Sequence, residues 1–436
     1  MNRVGRRAEP HQAGAVACPP KDRQCFDDID SPSNFMKKPL FYSFPPAGNK
    51  LPLKAIVRAM RNGGKPSGDL FKPVREILPA KYLFYLSSGR AALWLLLKAL
   101  SLIQPDKKEV IIPAYTCPAV ASAVLKAGLK VILCDINLDN FGFSKGELGK
   151  KVSKNTLAVI LVHLFGYPAN IQEVKEACRG HEIYLIEDAA QAFGNSVVDS
   201  PERKLGLQTD AGFFSFGRGK PISILHGGLL VTESKEIFLK AQEIYQFLNG
   251  SERFAYLKYD LFLSSYKLFS NPYLYWIPQH IPSLHLGETI FEPDFRTSRG
   301  LASTALLLKE MIASIEEEKQ IRREHSKWYF SNLKTIADVQ HPINPDFPFL
   351  RYPILIKNRL LRDKLLKKLT LQGTGAAQFY PCPLNEIPVL NDILKDSNSY
   401  PKAKEIADRL ITLPVHSGVS TSKLQKIGQI IKRSVH

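Results

Sequence analysis

From about residue 82 onward, short apolar runs of strand length alternate with amphipathic stretches of helix length. That rhythm restricts the chain to an α/β domain with a mostly parallel sheet. The runs 82–86, 110–112, 130–134, 158–162 and 183–186 read as strands, and 88–100, 119–127 and 171–178 as helices. In sheets of this kind, ligands gather beyond the carboxyl ends of the strands.

The chemistry-bearing residues lie at such ends. Lys220 closes the run Phe213-Phe214-Ser215-Phe216-Gly217-Arg218-Gly219-Lys220, and about thirty residues upstream stands Ile186-Glu187-Asp188-Ala189-Ala190-Gln191. A lysine is usually a solvated surface charge, but a lysine after a Ser-bearing strand, paired with an acid at an earlier strand tip, matches what pyridoxal phosphate requires. The amine forms a Schiff base with the cofactor aldehyde, and the acid keeps the pyridine nitrogen protonated so that the ring accepts electrons. The same lysine then carries the proton between the substrate α-carbon and the cofactor. Gln191 is placed to hydrogen-bond the phenolic oxygen. The run Leu86-Ser87-Ser88-Gly89-Arg90-Ala91 sits at a strand-to-helix junction, where N–H groups form an anion cradle and Arg90 adds a bidentate contact. The same pattern also makes an ordinary helix N-cap. Residues 212–220 are not a P-loop, since the glycine spacing is wrong and Pro221 follows the lysine.

Composition removes several classes. With 44% hydrophobic and 23% charged residues, the chain is an ordinary globular protein long enough for two domains. No apolar run reaches membrane-spanning length and the basic N-terminus has no apolar core of a secretory signal, so a cytoplasmic location is expected. The six cysteines form no CxxC pair and no zinc-ligand cluster, and no metal site is expected. The net charge of +18 fits a nucleic-acid, anionic-membrane or anionic-substrate partner, or simply a basic solvated surface. No nucleic-acid-binding signature accompanies it, so no nucleic acid is expected.

Taken in order, SSGRAAL, EVIIPAYTCPAVASAVLKAGLKVILCDI, VHLFGYPANI, IEDAAQAFG, FSFGRGK and HGGLLVT, with ITLPVHSGVS near residue 411, resemble the DegT/StrS-type family of PLP-dependent sugar aminotransferases. The resemblance runs from about Pro39 to the end. It implies a fold type I enzyme, a homodimer with sites at the subunit interface, that moves an amino group from glutamate to a keto-sugar nucleotide for polysaccharide or surface-glycan synthesis. By motif, Lys220 falls on the Schiff-base lysine, Asp188 on the pyridinium partner, Gln191 on the phenolic-oxygen contact and Ser215 on a phosphate ligand. Gly89, Arg90 and Ala91 fall on the phosphate cradle. Relatives with histidine at the lysine position are dehydratases, so Lys220 argues against that chemistry. Three positions depart from the pattern: Arg90 stands for a Thr, Cys117 for a ring-stacking aromatic, and Arg296 for an Asn that reaches the neighbouring subunit's phosphate. The alternatives are a PLP enzyme acting on a non-nucleotide carbonyl acceptor, or a non-catalytic regulator or scaffold of the same fold.

Residues 1–38 are expected to form a disordered tail, 39–300 a large cofactor-binding domain and 301–436 a smaller domain. Within the large one, an aromatic-rich insertion at about 250–290 is expected to be helical. It packs on the body or a partner subunit, or gives a peripheral membrane contact. Residues 301–330 read as one long helical pattern.

Overall fold

The computed structural model describes residues 41–47, 51–61, 69, 71–144, 146–250, 255–281 and 290–435. The expected tail at 1–38 lies outside them. Strands β1 (Tyr82–Leu86), β2 (Glu109–Pro113), β3 (Lys130–Cys134), β4 (Thr156–Val162) and β5 (Tyr184–Asp188) come first. A hairpin of β6 (Ser196–Val197) and β7 (Ser200–Lys204) separates them from β8 (Ala211–Ser215) and β9 (Gly228–Thr232). Seven of these strands form one sheet in the order β1-β9-β8-β5-β4-β2-β3. β2, β3, β4, β5 and β8 pair in parallel, and β9 runs antiparallel to both β8 and β1. The expected mostly parallel α/β sheet is therefore present, with one reversed strand.

β4 and β9 are buried at every position, as strands covered by helices on both faces must be. β2 gains one residue at each end of the expected 110–112 run, and β4 two at the start of 158–162. A second, antiparallel sheet holds β10 (Val339–Gln340), β11 (Tyr352–Ile356) and β12 (Leu410–Leu413).

The 301–330 pattern is a pair of helices, Ala302–Ile312 and Ile315–Leu333, parted at Ala313-Ser314. No Pro or Gly marks that break in the sequence, and both halves keep buried apolar faces. The aromatic stretch contains the helix Ala255–Phe269 and a short one at Trp276–Gln279. Tyr259 and Leu263 are buried, and the Tyr259 hydroxyl donates to the Ile224 carbonyl at 2.9 Å. Leu257, Leu261 and Leu268 stay exposed on the opposite side.

An N-terminal strap around Phe44 ties the start of the described chain to its end. Phe44 N–H donates to Gly373 O, its ring stacks on His416 with centroids 5.1 Å apart, and the Lys423 ammonium lies 3.8 Å from that ring's centroid. His416 Nδ1 accepts from Gly418 N–H at 3.2 Å while Nε2 lies 3.3 Å from Pro45 O, a pairing that suits the neutral ring. Burial above all, then the charges of Arg322 and Arg351, pulls its pKa down to about 3. A folded pKa below the unfolded value of about 6.5 means that the unfolded chain binds the proton first. Stability from this group is therefore present above about pH 6.5 and is lost as pH falls toward 3. Urea unfolding at pH 7 and pH 5 should show wild type losing about 2 kcal/mol more than His416→Gln over that interval; parallel losses would remove His416 as the cause.

Candidate active site

The carboxyl ends of β1, β2, β5 and β8 lie along one edge of the sheet, and reversed β9 begins there at Gly228. Two glycines let the helix Gly89–Ile103 start directly on that edge. A Cβ on Gly89 would stand 2.8 Å from Ser215 Cβ, and one on Gly228 only 2.3 Å from the Ser88 carbonyl carbon. Ser88 caps the helix by accepting from Ala91 N–H at 3.2 Å. The Ala91 N–H is thus engaged, and the parallel bridge of Ser88 with Gly227 occupies the Gly89 side, which leaves the Arg90 N–H at the helix end for an anion. Ser215 Oγ accepts from Gly217 N–H at 3.4 Å at the same edge.

Asp188 ends β5 inside the strand rather than just beyond it, and only 6% of it is exposed. Its Oδ1 accepts from Ala190 N–H at 3.0 Å. Burial pushes its pKa up, and the Ala190 N–H, Lys220 and His163 oppose that rise. Lys220 is half-buried in the loop after β8, which turns through Gly219 in the left-handed region at φ 72°.

Cys117 occupies the N-cap position of the helix Pro118–Lys126. Burial raises its thiol, while Lys220, Asp188 and Arg90 all act on it electrostatically. Lys220, Asp188 and Cys117 therefore share one neighbourhood. Gln191 Oε1 accepts from Phe165 N–H at 3.0 Å, which directs its amide nitrogen the other way.

Arg90 is held by Glu292 at 2.6 Å and lies over the Phe295 ring at 5.0 Å. Arg296 is exposed one residue beyond that ring. The two arginines thus come from segments that meet at Phe295.

Other residues join the site from parts of the sequence that carry no local signal. Tyr380 arrives from beyond β11: Tyr115 Oη donates to its carbonyl at 3.1 Å and accepts from its N–H at 3.2 Å. Burial, with Cys117 and Asp188 beside it, drives the Tyr380 phenol well above its ordinary pKa. Behind Asp188, Glu187 is fully buried and accepts from His163 Nε2 at 2.9 Å, Gly206 N–H at 2.7 Å and Gln208 N–H at 2.6 Å. This network braces the ends of β4 and β5.

The donor set fits pyridoxal phosphate. Helix-end N–H groups suit its phosphate, a buried acid suits its ring nitrogen and a half-buried lysine suits its aldehyde. Ser87 Oγ and Thr116 Oγ1, at the ends of β1 and β2, are buried without a partner, an uncommon state that a ligand rich in acceptors relieves.

Comparison with known proteins points the same way. The sequence profile of the DegT/DnrJ/EryC1/StrS aminotransferase family matches residues 55–267 and 301–432. A dTDP-4-amino-4,6-dideoxy-D-glucose transaminase from Shigella dysenteriae is 24% identical over 413 residues, 91% of this chain and 99% of the relative. A GDP-perosamine synthase from Vibrio cholerae is 34% identical over 165 residues, 38% of this chain and 44% of its own. Among solved structures, Helicobacter pylori PseC, an aminotransferase of pseudoaminic acid biosynthesis, superposes with a TM-score of 0.71 at 19% identity. That match covers 91% of this chain and 99% of PseC, and it establishes the shared fold.

Proposed function

The chain belongs to the DegT/DnrJ/EryC1/StrS aminotransferase family, and from that premise we propose that it is a PLP-dependent transaminase passing the amino group of glutamate to a nucleotide-linked keto-sugar for surface-glycan synthesis. The observation that carries this reading is the buried Asp188 in the electrostatic field of Lys220 at the carboxyl edge of the sheet. The sugar-nucleotide transaminase and synthase named above supply the substrate class.

Bound pyridoxal phosphate supplies an electron-withdrawing ring that acidifies the donor's α-C–H bond. Lys220 anchors the cofactor, then takes that proton and returns it on the cofactor side. Asp188 would set its carboxylate against the ring nitrogen, and Gln191 would donate its amide N–H to the phenolic oxygen. The helix start at Gly89, Arg90 and Ala91, with Ser215, would receive the phosphate. The side chains of Arg90 and Arg296 add positive charge there, Arg296 toward a neighbouring subunit. Cys117 would face the ring, a thinner and more polarizable contact than an aromatic.

We assign a homodimer, which covers the exposed Leu257 and Leu261 and the exposed Leu53 on the helix that packs beside them. A peripheral membrane contact is the alternative for that face. No helix among the described residues is long and apolar enough to cross a membrane, and a cytoplasmic site of action suits nucleotide-linked substrates. Two domains meet at about residue 300, a division supported by the separate sheets on either side of it.

The purified protein with added PLP should show a visible absorption band that L-glutamate bleaches. A protein that takes up no PLP, or whose band ignores every amino donor, contradicts the transaminase reading.

A further inference from the structure

Outside the candidate active site, Lys423 joins the two ends of the described chain through its charge. It lies in the first turn of the C-terminal helix, Thr421–Val435, where its backbone N–H donates to Ser420 Oγ at 3.3 Å. The half-buried side chain reaches across to the N-terminal strap. There Nζ donates to the Tyr42 hydroxyl and lies 4.4 Å from the centroid of the Tyr42 ring and 3.8 Å from that of Phe44. No carboxylate forms an ion pair with Lys423 among the described residues, so two ring faces and a hydroxyl receive the ammonium. Burial first, then the charge of Lys426 one turn along the helix, pulls its pKa down to about 8.

The strap carries this contact to the lysine loop. Its backbone is tied by Ser43 N–H to Pro272 O at 2.9 Å and by Phe44 N–H to Gly373 O at 3.2 Å. Farther along, Ala47 borders the loop itself: a Cβ on Gly219, next to Lys220, would stand 3.8 Å from Ala47 Cβ. Lys423 thus fastens one end of a short segment whose other end lines the loop that holds Lys220.

We propose that Lys423 is a charge latch for the strap and a site of acylation, whose modification frees the segment 42–47 from the C-terminal helix. A lysine attacks acyl donors only as the neutral amine, and an ordinary lysine, with a pKa of about 10.4, is almost wholly protonated at neutral pH. A half-buried lysine without a counter-ion keeps a larger neutral share. In the step, the ammonium first gives one proton to water. The Nζ lone pair then attacks the carbonyl carbon of an acyl phosphate, and the C–O bond to phosphate breaks. Phosphate leaves with the bonding electrons, and a second nitrogen proton passes to solvent. The resulting amide has no charge for the ring faces to attract, and it sets an acyl group against the Tyr42 hydroxyl. The proposal stands apart from the transaminase reading, because every readout is taken on Lys423 and the strap.

The test treats the PLP-loaded full chain with acetyl phosphate and maps the modified lysines by mass spectrometry over time. Lys423 should be acetylated about 10-fold or more faster than the exposed Lys426, the internal reference on the same helix. Hydrogen exchange then follows the Ser43 and Phe44 N–H groups. Their exchange should speed up about 5- to 30-fold in the acetylated wild type, and equally in untreated Lys423→Gln. Lys423→Arg keeps the charge, so treated with acetyl phosphate it should exchange as slowly as the unmodified wild type. Acetylation of Lys423 no faster than of Lys426 overturns the proposal, as does unchanged exchange after acetylation. Fast exchange in treated Lys423→Arg overturns it too, since the charge of residue 423 would then not be what holds the strap. Should Lys423→Gln fail to fold, the acetylated wild type against treated Lys423→Arg decides the matter.

Discussion

Lys220→Ala is expected to lower amino-group transfer by about 10⁴-fold or more, the combined loss of a covalent anchor and of the group that moves the proton. The change should leave the fold intact, because Lys220 is half-buried in a loop outside the strands and helices. It also removes the positive charge that Asp188 and Cys117 both feel. Lys220→Arg separates the two effects: it restores the charge but cannot condense with an aldehyde, so it should be as inactive as the alanine variant. The measurement is a single-turnover assay with L-glutamate, together with the visible spectrum after desalting. Turnover near the wild-type rate in either variant would assign the chemistry to another residue.

Asp188→Asn should slow the glutamate half-reaction about 10²- to 10³-fold, the usual effect of deleting one preorganised electrostatic contact in a dry site. Asparagine keeps the shape, and its Oδ1 still accepts from Ala190 N–H, so a near-normal melting temperature is expected. What disappears is the carboxylate meant for the ring nitrogen, whose pKa burial pushes up while the Ala190 N–H, Lys220 and His163 oppose that rise. The rate should be read at saturating glutamate and saturating PLP, so that weak cofactor binding is not mistaken for slow chemistry. An unchanged rate would strip Asp188 of the ring-nitrogen role.

Much of the fold was legible because its strands are short apolar runs with clear borders. Lys130–Cys134 and Tyr82–Leu86 have the same limits in sequence and structure, since charged or turn residues bound them. Asp188 was readable as a strand-tip acid for the same reason. The break at Ala313-Ser314 was not legible: the helical residues on both sides keep their periodicity, and tertiary packing decides the kink. Tyr380 and Arg322 were not legible either. Each sits in an unremarkable local context and reaches the site through long-range contacts, such as the clamp from Tyr115 and the carbonyl of Pro221. Local pattern announces groups at strand ends, whereas groups delivered by the far half of the chain become visible only in three dimensions.

The pairing of β1 with β9 has a consequence for the order of synthesis. β1 leaves the ribosome first among the sheet strands, yet its partner is the last of them to be made. At about 5–20 residues per second, that delay is on the order of ten seconds or more, and the strap at Phe44 waits longer still for Gly373 and His416. During this interval Phe84 and Leu86, buried in the finished protein, stand on an unpaired strand. The nascent chain is therefore expected to engage holding chaperones until Gly228–Thr232 has emerged.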